Sequence, residues 1–207
     1  MKVAIVDIGS NAVRSCIYLD KTLGSPVIFH QKFKCDIRSL INQETIDEGH
    51  DVFRCFRYFV KVFDNYKVDE IKCVATAVLR NHDKSQEFLS IIKQNFGLDI
   101  QILSGEEEAL FTAKGLINSI ANANGLAVDM GGGSLELMEI GDHHIQKTLS
   151  LPLDSKVDNN DKIDEILDII SSYFKEKSFE NLYLIGGTFR AIGCDFIYRN
   201  QHAIKVL

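Results

Sequence analysis

Three consecutive glycines, Gly131 to Gly133, are the feature that most constrains how this chain can fold. They stand between two apolar runs, 125–130 and 135–140, which predict two β-strands. Glycine loses more backbone freedom on folding than other residues, so three together indicate a tight turn or a close approach to a ligand. Asp129 and Ser134 flank the turn with a carboxylate for a metal ion and a hydroxyl for an oxyanion. The pattern predicts an anion-binding hairpin, and a glycine-rich hairpin that binds nothing is the alternative.

The same plan occurs at the start of the chain. Residues 1–6 form an apolar run that leads into Asp7-Ile-Gly-Ser-Asn11, and strand character resumes over 13–19. A third strand is predicted over 27–33. The repetition of strand, acid, glycine turn and strand predicts two related domains that face each other across a cleft.

Helical and strand patterns alternate through the rest of the chain, which indicates an α/β protein. An apolar stripe predicts a helix over 44–65, and Gly97 ends a second predicted helix over 84–96. The remaining predicted strands are 70–75, 98–103, 145–151 and 182–185, and the remaining helices begin at 104, near 164 and near 189.

Composition excludes several classes of protein. The chain carries 23 basic and 29 acidic side chains, a net charge of −6, so a nucleic-acid-binding surface is not expected. No apolar run approaches the ~20 residues needed to span a bilayer, which argues against a membrane protein. The five cysteines show no C-x-x-C pair or metal-site spacing, and we expect buried, reduced thiols in a cytoplasmic protein.

Glu108 is the candidate general base. It ends the run Ser104-Gly-Glu-Glu-Glu108, in which Ser104 and Glu107 have capping-box spacing. Glu106 and Glu107 are therefore interpreted as residues that favour the helix N-terminus. Glu108 differs because its helical face is small and mildly polar, which gives a carboxylate access to a water molecule. That face holds Thr112, Gly115 and Ser119.

Two further groups suit phosphate binding. Arg80 follows a predicted strand, and a guanidinium at a strand end can contact phosphate with two donors. Gly186-Gly187-Thr188 precedes a predicted helix, whose first N–H groups could bind a nucleotide or phosphate. A surface salt bridge for Arg80 and an ordinary strand–helix turn for 186–188 are the alternatives.

Taken together, these motifs resemble the exopolyphosphatase/guanosine pentaphosphate phosphohydrolase family of the actin–sugar-kinase superfamily. The matching segments occur in the family's order and cover nearly the whole chain. They are Val6-Asp-Ile-Gly-Ser-Asn11, Ala75-Thr-Ala-Val-Leu-Arg80, Leu103-Ser-Gly-Glu-Glu-Glu-Ala109, Val128-Asp-Met-Gly-Gly-Gly-Ser134 with Glu136, Ser150-Leu-Pro-Leu153 and Ile185-Gly-Gly-Thr-Phe-Arg-Ala191.

The resemblance implies two ribonuclease-H-like (actin-like ATPase) domains, 1–122 and 123–207, with an active site in a central interdomain cleft. It implies Mg²⁺-dependent removal of terminal phosphates from inorganic polyphosphate or guanosine pentaphosphate, with Glu108 as the catalytic base. Asp129 and Glu136 would serve the metal site, and Asp7 would face it across the cleft. The implied phosphate-binding residues are Ser10, Asn11, Arg80, Gly131, Gly132, Gly133 and Ser134, and Gly186, Gly187 and Thr188 would lie on the nucleotide side.

The chain also departs from the family pattern. Leu110 replaces an arginine, Leu135 replaces a threonine and Ala12 replaces a serine, so affinity for a long polyanion is expected to be lower. The chain ends at Leu207, which suggests a shortened second domain. A non-catalytic phosphate or alarmone sensor and a nucleotide-binding ATPase or kinase relative therefore stay open as alternatives. Family members often pair, which makes a homodimer one expectation.

Overall fold

The computed structural model describes residues 1–80, 82–153, 160–174 and 177–200. The chain divides into two compact units, Met1–Ser104 and Gly105–Leu207. The sequence placed the boundary at 122/123, later than this division. The difference concerns the helix Gly105–Ser119, whose Ala109 and Ala113 pack with the apolar residues of the second unit.

A five-stranded mixed sheet forms the first unit. Its order is β3-β2-β1-β4-β5, and only β2 runs antiparallel to its neighbours. This is the ribonuclease-H-like arrangement that the sequence predicted. The strands are β1 (Val3–Ile8), β2 (Ala12–Tyr18), β3 (Val27–Lys34), β4 (Glu70–Ala75) and β5 (Ile100–Ile102).

The described part of the first unit contains four helices, two after β3 and two between β4 and β5. The predicted helix over 44–65 begins only at Asp51, because the His50 ring accepts a hydrogen bond from the Val52 N–H at 3.3 Å and caps the helix there. Gly97 ends its helix in a left-handed conformation, as predicted. The two shortest helices were not predicted. The helices are α1 (Ile37–Ile41), α2 (Asp51–Tyr66), α3 (Ala77–Arg80) and α4 (Ser85–Phe96).

Phenylalanine side chains dominate the core between this sheet and its helices. Phe53, Phe56 and Phe59 of α2 are almost completely buried, and the Phe59 ring contacts Phe33 of β3 edge to face at 5.4 Å. Burial of each ring stabilises the fold by about 1.5–3 kcal/mol. The contact also fixes which face of β3 points to the core, so alternate residues of β3 point the other way.

The second unit contains a four-stranded sheet in the order β8-β7-β6-β9. Helix α5 packs on one face, and α6 packs on the other through Ile166 and Ile170. Helix α7 begins two residues before the predicted start at 189, and none of its 13 residues is buried. The elements are α5 (Gly105–Ser119), β6 (Gly125–Met130), β7 (Ser134–Gly141), β8 (His144–Pro152), α6 (Asn160–Tyr173), β9 (Leu182–Ile185) and α7 (Gly187–Arg199).

The internal repeat is visible in the two sheets. Each begins with an antiparallel meander, β1-β2-β3 or β6-β7-β8, and each then adds a parallel strand beside its first strand. The predicted burial of the thiols holds for Cys35, Cys55 and Cys73, whereas Cys16 is half-buried and Cys194 is exposed. Within the described residues, every helix is too short or too polar to cross a bilayer.

Candidate active site

The first glycine turn joins β1 to β2 and is held by backbone hydrogen bonds. The Gly9 N–H donates to Ala12 O at 3.0 Å. The carbonyls of Ser10 and Asn11 accept from the N–H groups of Ile37 and Cys35, at 3.1 and 3.2 Å. Because both carbonyls are bonded to the segment that leads into α1, the turn has a fixed conformation. Ser10 is buried and Asn11 is exposed.

Asp7 lies on β1 directly opposite Arg14 of β2. Its Oδ2 is 3.6 Å from the Arg14 Nη1. Partial burial raises the pKa of the Asp7 carboxyl above its ordinary value, and the positive charges of Arg14 and Lys32 partly offset that increase. The predicted role of Asp7 beside a metal ion stays a prediction.

Arg80 ends the short helix α3 at the same edge of the first sheet as the turn. The strands β1 and β4 are parallel and pair Ile8 with Ala75, and the Thr76 N–H donates to Ile8 O at 3.3 Å. The Arg80 Nε donates to Leu103 O at 2.8 Å, which orients the guanidinium. The structure therefore brings Arg80 to the edge that carries the Asp7–Asn11 turn, although through a short helix and not directly from a strand end.

The second glycine turn joins β6 to β7 and closes in the same way. The Gly131 N–H donates to Ser134 O at 3.0 Å, and Gly133 O accepts from the Leu153 N–H at 3.0 Å. Ser134 is buried, whereas Gly131 and Gly132 are exposed. The turn is thus anchored to the end of β8, and its exposed backbone faces solvent.

Asp129 and Glu136 are direct partners across β6 and β7. Direct cross-strand partners project to the same face with their Cβ atoms about 4.5–5.5 Å apart. Glu136 is only 1% exposed, and its Oε1 accepts a hydrogen bond from Ser150 Oγ at 3.1 Å. The sequence assigned no role to Ser150, because its contact with Glu136 depends on the register of β7 and β8.

The Asp129 carboxylate also packs tightly against Gly186. A Cβ atom built on Gly186 would lie 2.6 Å from Asp129 Oδ1 and 3.3 Å from Met130 O, and Gly186 has a φ of +95°. Only glycine satisfies both conditions without strain. The parallel pairing of Asp129 with Ile185 explains the contact, since Gly186 follows Ile185 directly.

The Asp129–Glu136 pair suits a hard divalent cation. Among the described residues, no group of three or more His, Cys, Asp or Glu side chains is arranged to hold a metal ion. Mg²⁺ nevertheless keeps several of its waters and is often held by one or two carboxylates together with substrate phosphates. Two adjacent carboxylates, one of them buried and oriented by a serine, fit that requirement.

Glu108 lies in the first turn of α5, and its side chain is half-buried. The next residue, Ala109, is completely buried in a cluster that includes Ala127 of β6. Ala127 precedes Asp129 by two positions on that strand, so the second sheet fixes the helix turn that carries Glu108. The small face predicted for this helix is present, and Ser119 Oγ donates there to Gly115 O at 2.7 Å.

An apolar cavity of about 420 Å³ adjoins the second turn. It brings Gly131 and Gly132 together with Thr188, at the start of α7, and with one face of α6. The predicted nucleotide-side segment and the glycine turn thus border the same space. The α6 residues in its wall are Ile163, Ile166, Leu167 and Ile170.

Comparison with known proteins gives concordant matches. A model of the Ppx/GppA phosphatase family matches residues 17–156. The chain is 30% identical over 154 residues to the guanosine-5'-triphosphate,3'-diphosphate pyrophosphatase of Aeromonas hydrophila subsp. hydrophila, and the match covers 71% of this chain and 30% of that protein. The chain therefore spans about 30% of the length of this curated relative.

Solved structures share the fold. An exopolyphosphatase from Cytophaga hutchinsonii matches with a TM-score of 0.79 and 19% identity, over 99% of this chain and 72% of that chain. The Aquifex aeolicus member of the Ppx/GppA family matches with a TM-score of 0.73 and 21% identity, over the same shares. At these identities the matches establish the fold, and they confirm the predicted fold class.

Replacement of Gly186 by alanine should destabilise the protein. The added methyl group would displace the Asp129 carboxylate and meet an unfavourable φ, which costs about 1–3 kcal/mol in the free energy of unfolding. Gly187→Ala is the matched control, since a Cβ there meets no atom within 4 Å. Urea denaturation measures both variants. Equal stability of the two variants would show that the Asp129–Gly186 contact is not tight.

Replacement of Asp7 by asparagine should increase stability at neutral pH. Partial burial raises the folded-state pKa of Asp7, so the folded protein retains this proton to higher pH than the unfolded chain. The stability lost to this carboxylate therefore grows as the pH rises from near 3.8 through the folded pKa. The Tm of Asp7→Asn relative to the parent should increase between about pH 3 and pH 7.

Asp20→Asn is the control, for which we expect the opposite change in Tm with pH. Hydrogen bonds from the Thr22 hydroxyl and N–H lower the pKa of Asp20, so its ionised form stabilises the fold above the unfolded pKa. The Tm of this variant relative to the parent should decrease over the same pH range. A constant Tm difference for Asp7→Asn would contradict a raised pKa.

Proposed function

The chain belongs to the Ppx/GppA phosphatase family, and from this membership we propose that it hydrolyses terminal phosphoanhydride bonds of inorganic polyphosphate or guanosine pentaphosphate. The observation that carries the proposal is the Asp129–Glu136 pair beside the second glycine turn, with Glu136 buried and bonded to Ser150. An anion-binding turn next to two carboxylates suits a phosphate ligand that brings its own metal ion.

Asp129 and Glu136 would hold Mg²⁺ in this site. When bound, the ion supplies positive charge that offsets the negative charge on the phosphoryl oxygens. Ser134 and the backbone of Gly132 and Gly133 would bind the terminal phosphate. Gly131 would contribute through the shape of the turn, because its N–H donates to Ser134 O. Ser10, Asn11 and Arg80 are the phosphate contacts proposed for the first unit.

Glu108 would act on the attacking water. Its carboxylate accepts a proton while the water oxygen forms a bond to the terminal phosphorus. The bond between that phosphorus and the bridging oxygen breaks, and the shortened chain leaves with the electron pair. Inorganic phosphate is the second product, and Glu108 then releases its proton to solvent.

Replacement of Glu108 by glutamine tests this assignment. The amide keeps the shape of the side chain but cannot accept the proton, so phosphate release should decrease about 10²–10⁴-fold. Tripolyphosphate binding, measured by calorimetry, should persist. Glu106→Gln is the matched control because Glu106 is exposed in the same helical turn. Equal activity of the two variants would remove Glu108 from the mechanism.

The metal site has a separate test that does not require turnover. Mg²⁺ should raise the Tm of the parent, and Glu136→Gln should weaken the apparent Mg²⁺ affinity about 10–100-fold by removing a charged oxygen. Glu165→Gln, which changes an exposed carboxylate on α6, is the control. Removal of Mg²⁺ with a chelator should abolish phosphate release. An unchanged Mg²⁺ response in Glu136→Gln would exclude this pair as the metal site.

A nucleotide-binding ATPase or kinase relative is the second candidate. The observation that favours it is the apolar cavity between Gly131, Thr188 and α6, which could receive a base next to bound phosphates. Phosphate release from polyphosphate without a nucleotide supports the phosphatase. Release from ATP alone supports the second candidate, and binding without release from either compound supports a sensor.

A further inference from the structure

Three cationic side chains of β2 and β3 lie on the face of the first sheet that points away from its core. Val13, Ser15 and Ile17 of β2 are buried, so the intervening residues of β2 project to the opposite face. Phe33 of β3 contacts the core ring Phe59, so its neighbours on β3 also project to that opposite face. The exposed cations there, which we call the basic stripe, are Arg14, Lys32 and Lys34.

Strand register sets the spacing of the basic stripe. Lys32 is the cross-strand partner of Arg14, and Lys34 is the partner of Ala12. Partner strands lie about 4.8 Å apart, and alternate residues along one strand lie about 6.8 Å apart. The three cations therefore form a compact array in a chain whose net charge is −6. The positive charge is concentrated at these three positions, although the composition of the whole chain is acidic.

The basic stripe begins at the first glycine turn. Lys34 is opposite Ala12, which follows Asn11, and the Cys35 N–H donates to Asn11 O at 3.2 Å. From Lys34 the stripe continues along β3 to Lys32 and across to Arg14. A ligand with one phosphate at the turn would have its next anionic groups beside these cations.

Nearby acids only partly neutralise the basic stripe. The Asp7 carboxylate faces Arg14 at 3.6 Å, and the two side chains are 42% and 47% exposed. Such an exposed pair is weak, so an incoming anion can compete for the guanidinium. The Asp36 carboxylate is bonded elsewhere, because its Oδ1 accepts from the Ser39 N–H at the start of α1. Asp7 pairs with one of the three cations, which leaves the stripe net positive.

We propose that the basic stripe binds the phosphates of linear inorganic polyphosphate that lie beyond those at the first glycine turn, an inference that rests on the proposed function. Polyphosphate carries negative charge along its whole length, so each cation of the stripe would meet a phosphate. Guanosine pentaphosphate has a ribose with a neutral base between its 5′-triphosphate and its 3′-diphosphate, so it lacks a continuous run of phosphates to place along the whole stripe. The structure thus assigns these side chains to selection of a long polyanion.

The test is a triple variant, Arg14→Gln/Lys32→Gln/Lys34→Gln. The matched control is Arg57→Gln/Lys61→Gln/Lys67→Gln, which removes the same charges from exposed positions on α2 and just after it. The triple variant should raise KM for long-chain polyphosphate about tenfold more than KM for tripolyphosphate. The slope of log affinity against log salt should decrease by about 2, since each cation contributes about 0.7 for a single-stranded polyanion.

Binding measurements in the Glu108→Gln background separate this inference from the proposed function. The proposed function fails, and the stripe assignment stands, if the parent protein releases no phosphate while the triple variant binds long-chain polyphosphate more weakly than the control variant does. If the triple variant and the control bind long-chain polyphosphate equally well, the inference is overturned while the phosphatase survives. The inference would also be overturned if the protein bound single-stranded RNA and long-chain polyphosphate equally well and the triple variant weakened both to the same extent. Melting curves confirm folding, and Lys32→Gln/Lys34→Gln replaces the triple variant if that variant unfolds.

Discussion

The contact between the Asp129 carboxylate and the backbone of Gly186 is the constraint on which the second unit depends. It joins the end of β6 to the turn after β9, so the glycine turn, the Asp129–Glu136 pair and the start of α7 occupy one edge of the sheet. A side chain at position 186 would separate them. Burial of Glu136 adds a second constraint, because a buried carboxylate requires a partner and Ser150 provides it. Packing and polar contacts therefore specify the same geometry.

Local chemistry made much of the fold predictable. Alternating apolar residues identified the strands, Gly97 marked the end of a helix, and the recurrence of an acid before a glycine turn indicated two related units. Most element ends were placed within a few residues. Helix α2 was the exception, because its start depends on a His50 ring that caps the backbone, and histidine is not a usual capping residue.

The less predictable features depend on contacts between residues far apart in sequence. Helix α5 packs on the second sheet through Ala109 and Ala113, and two alanines give little indication of which sheet they cover. Ser150 meets Glu136 only through the register of β7 and β8. The basic stripe is equally hidden, since Arg14 and Lys32 are distant in the sequence but paired in the sheet. The residues that form a phosphate-binding turn are adjacent in the sequence, whereas the residues that support the turn are distant from it in the sequence.

The exposure of helix α7 affects how readily the chain around Thr188 opens locally. Its 13 residues include none that is buried, so few apolar contacts oppose its opening. Elements of this kind exchange their amide protons through local fluctuations, well below the free energy of global unfolding. The preceding strand β9 is paired with β6, and Gly186 is in close contact with Asp129. The segment 186–188 is therefore held by the pairing of β9 with β6 and by the Gly186–Asp129 contact more than by the packing of α7.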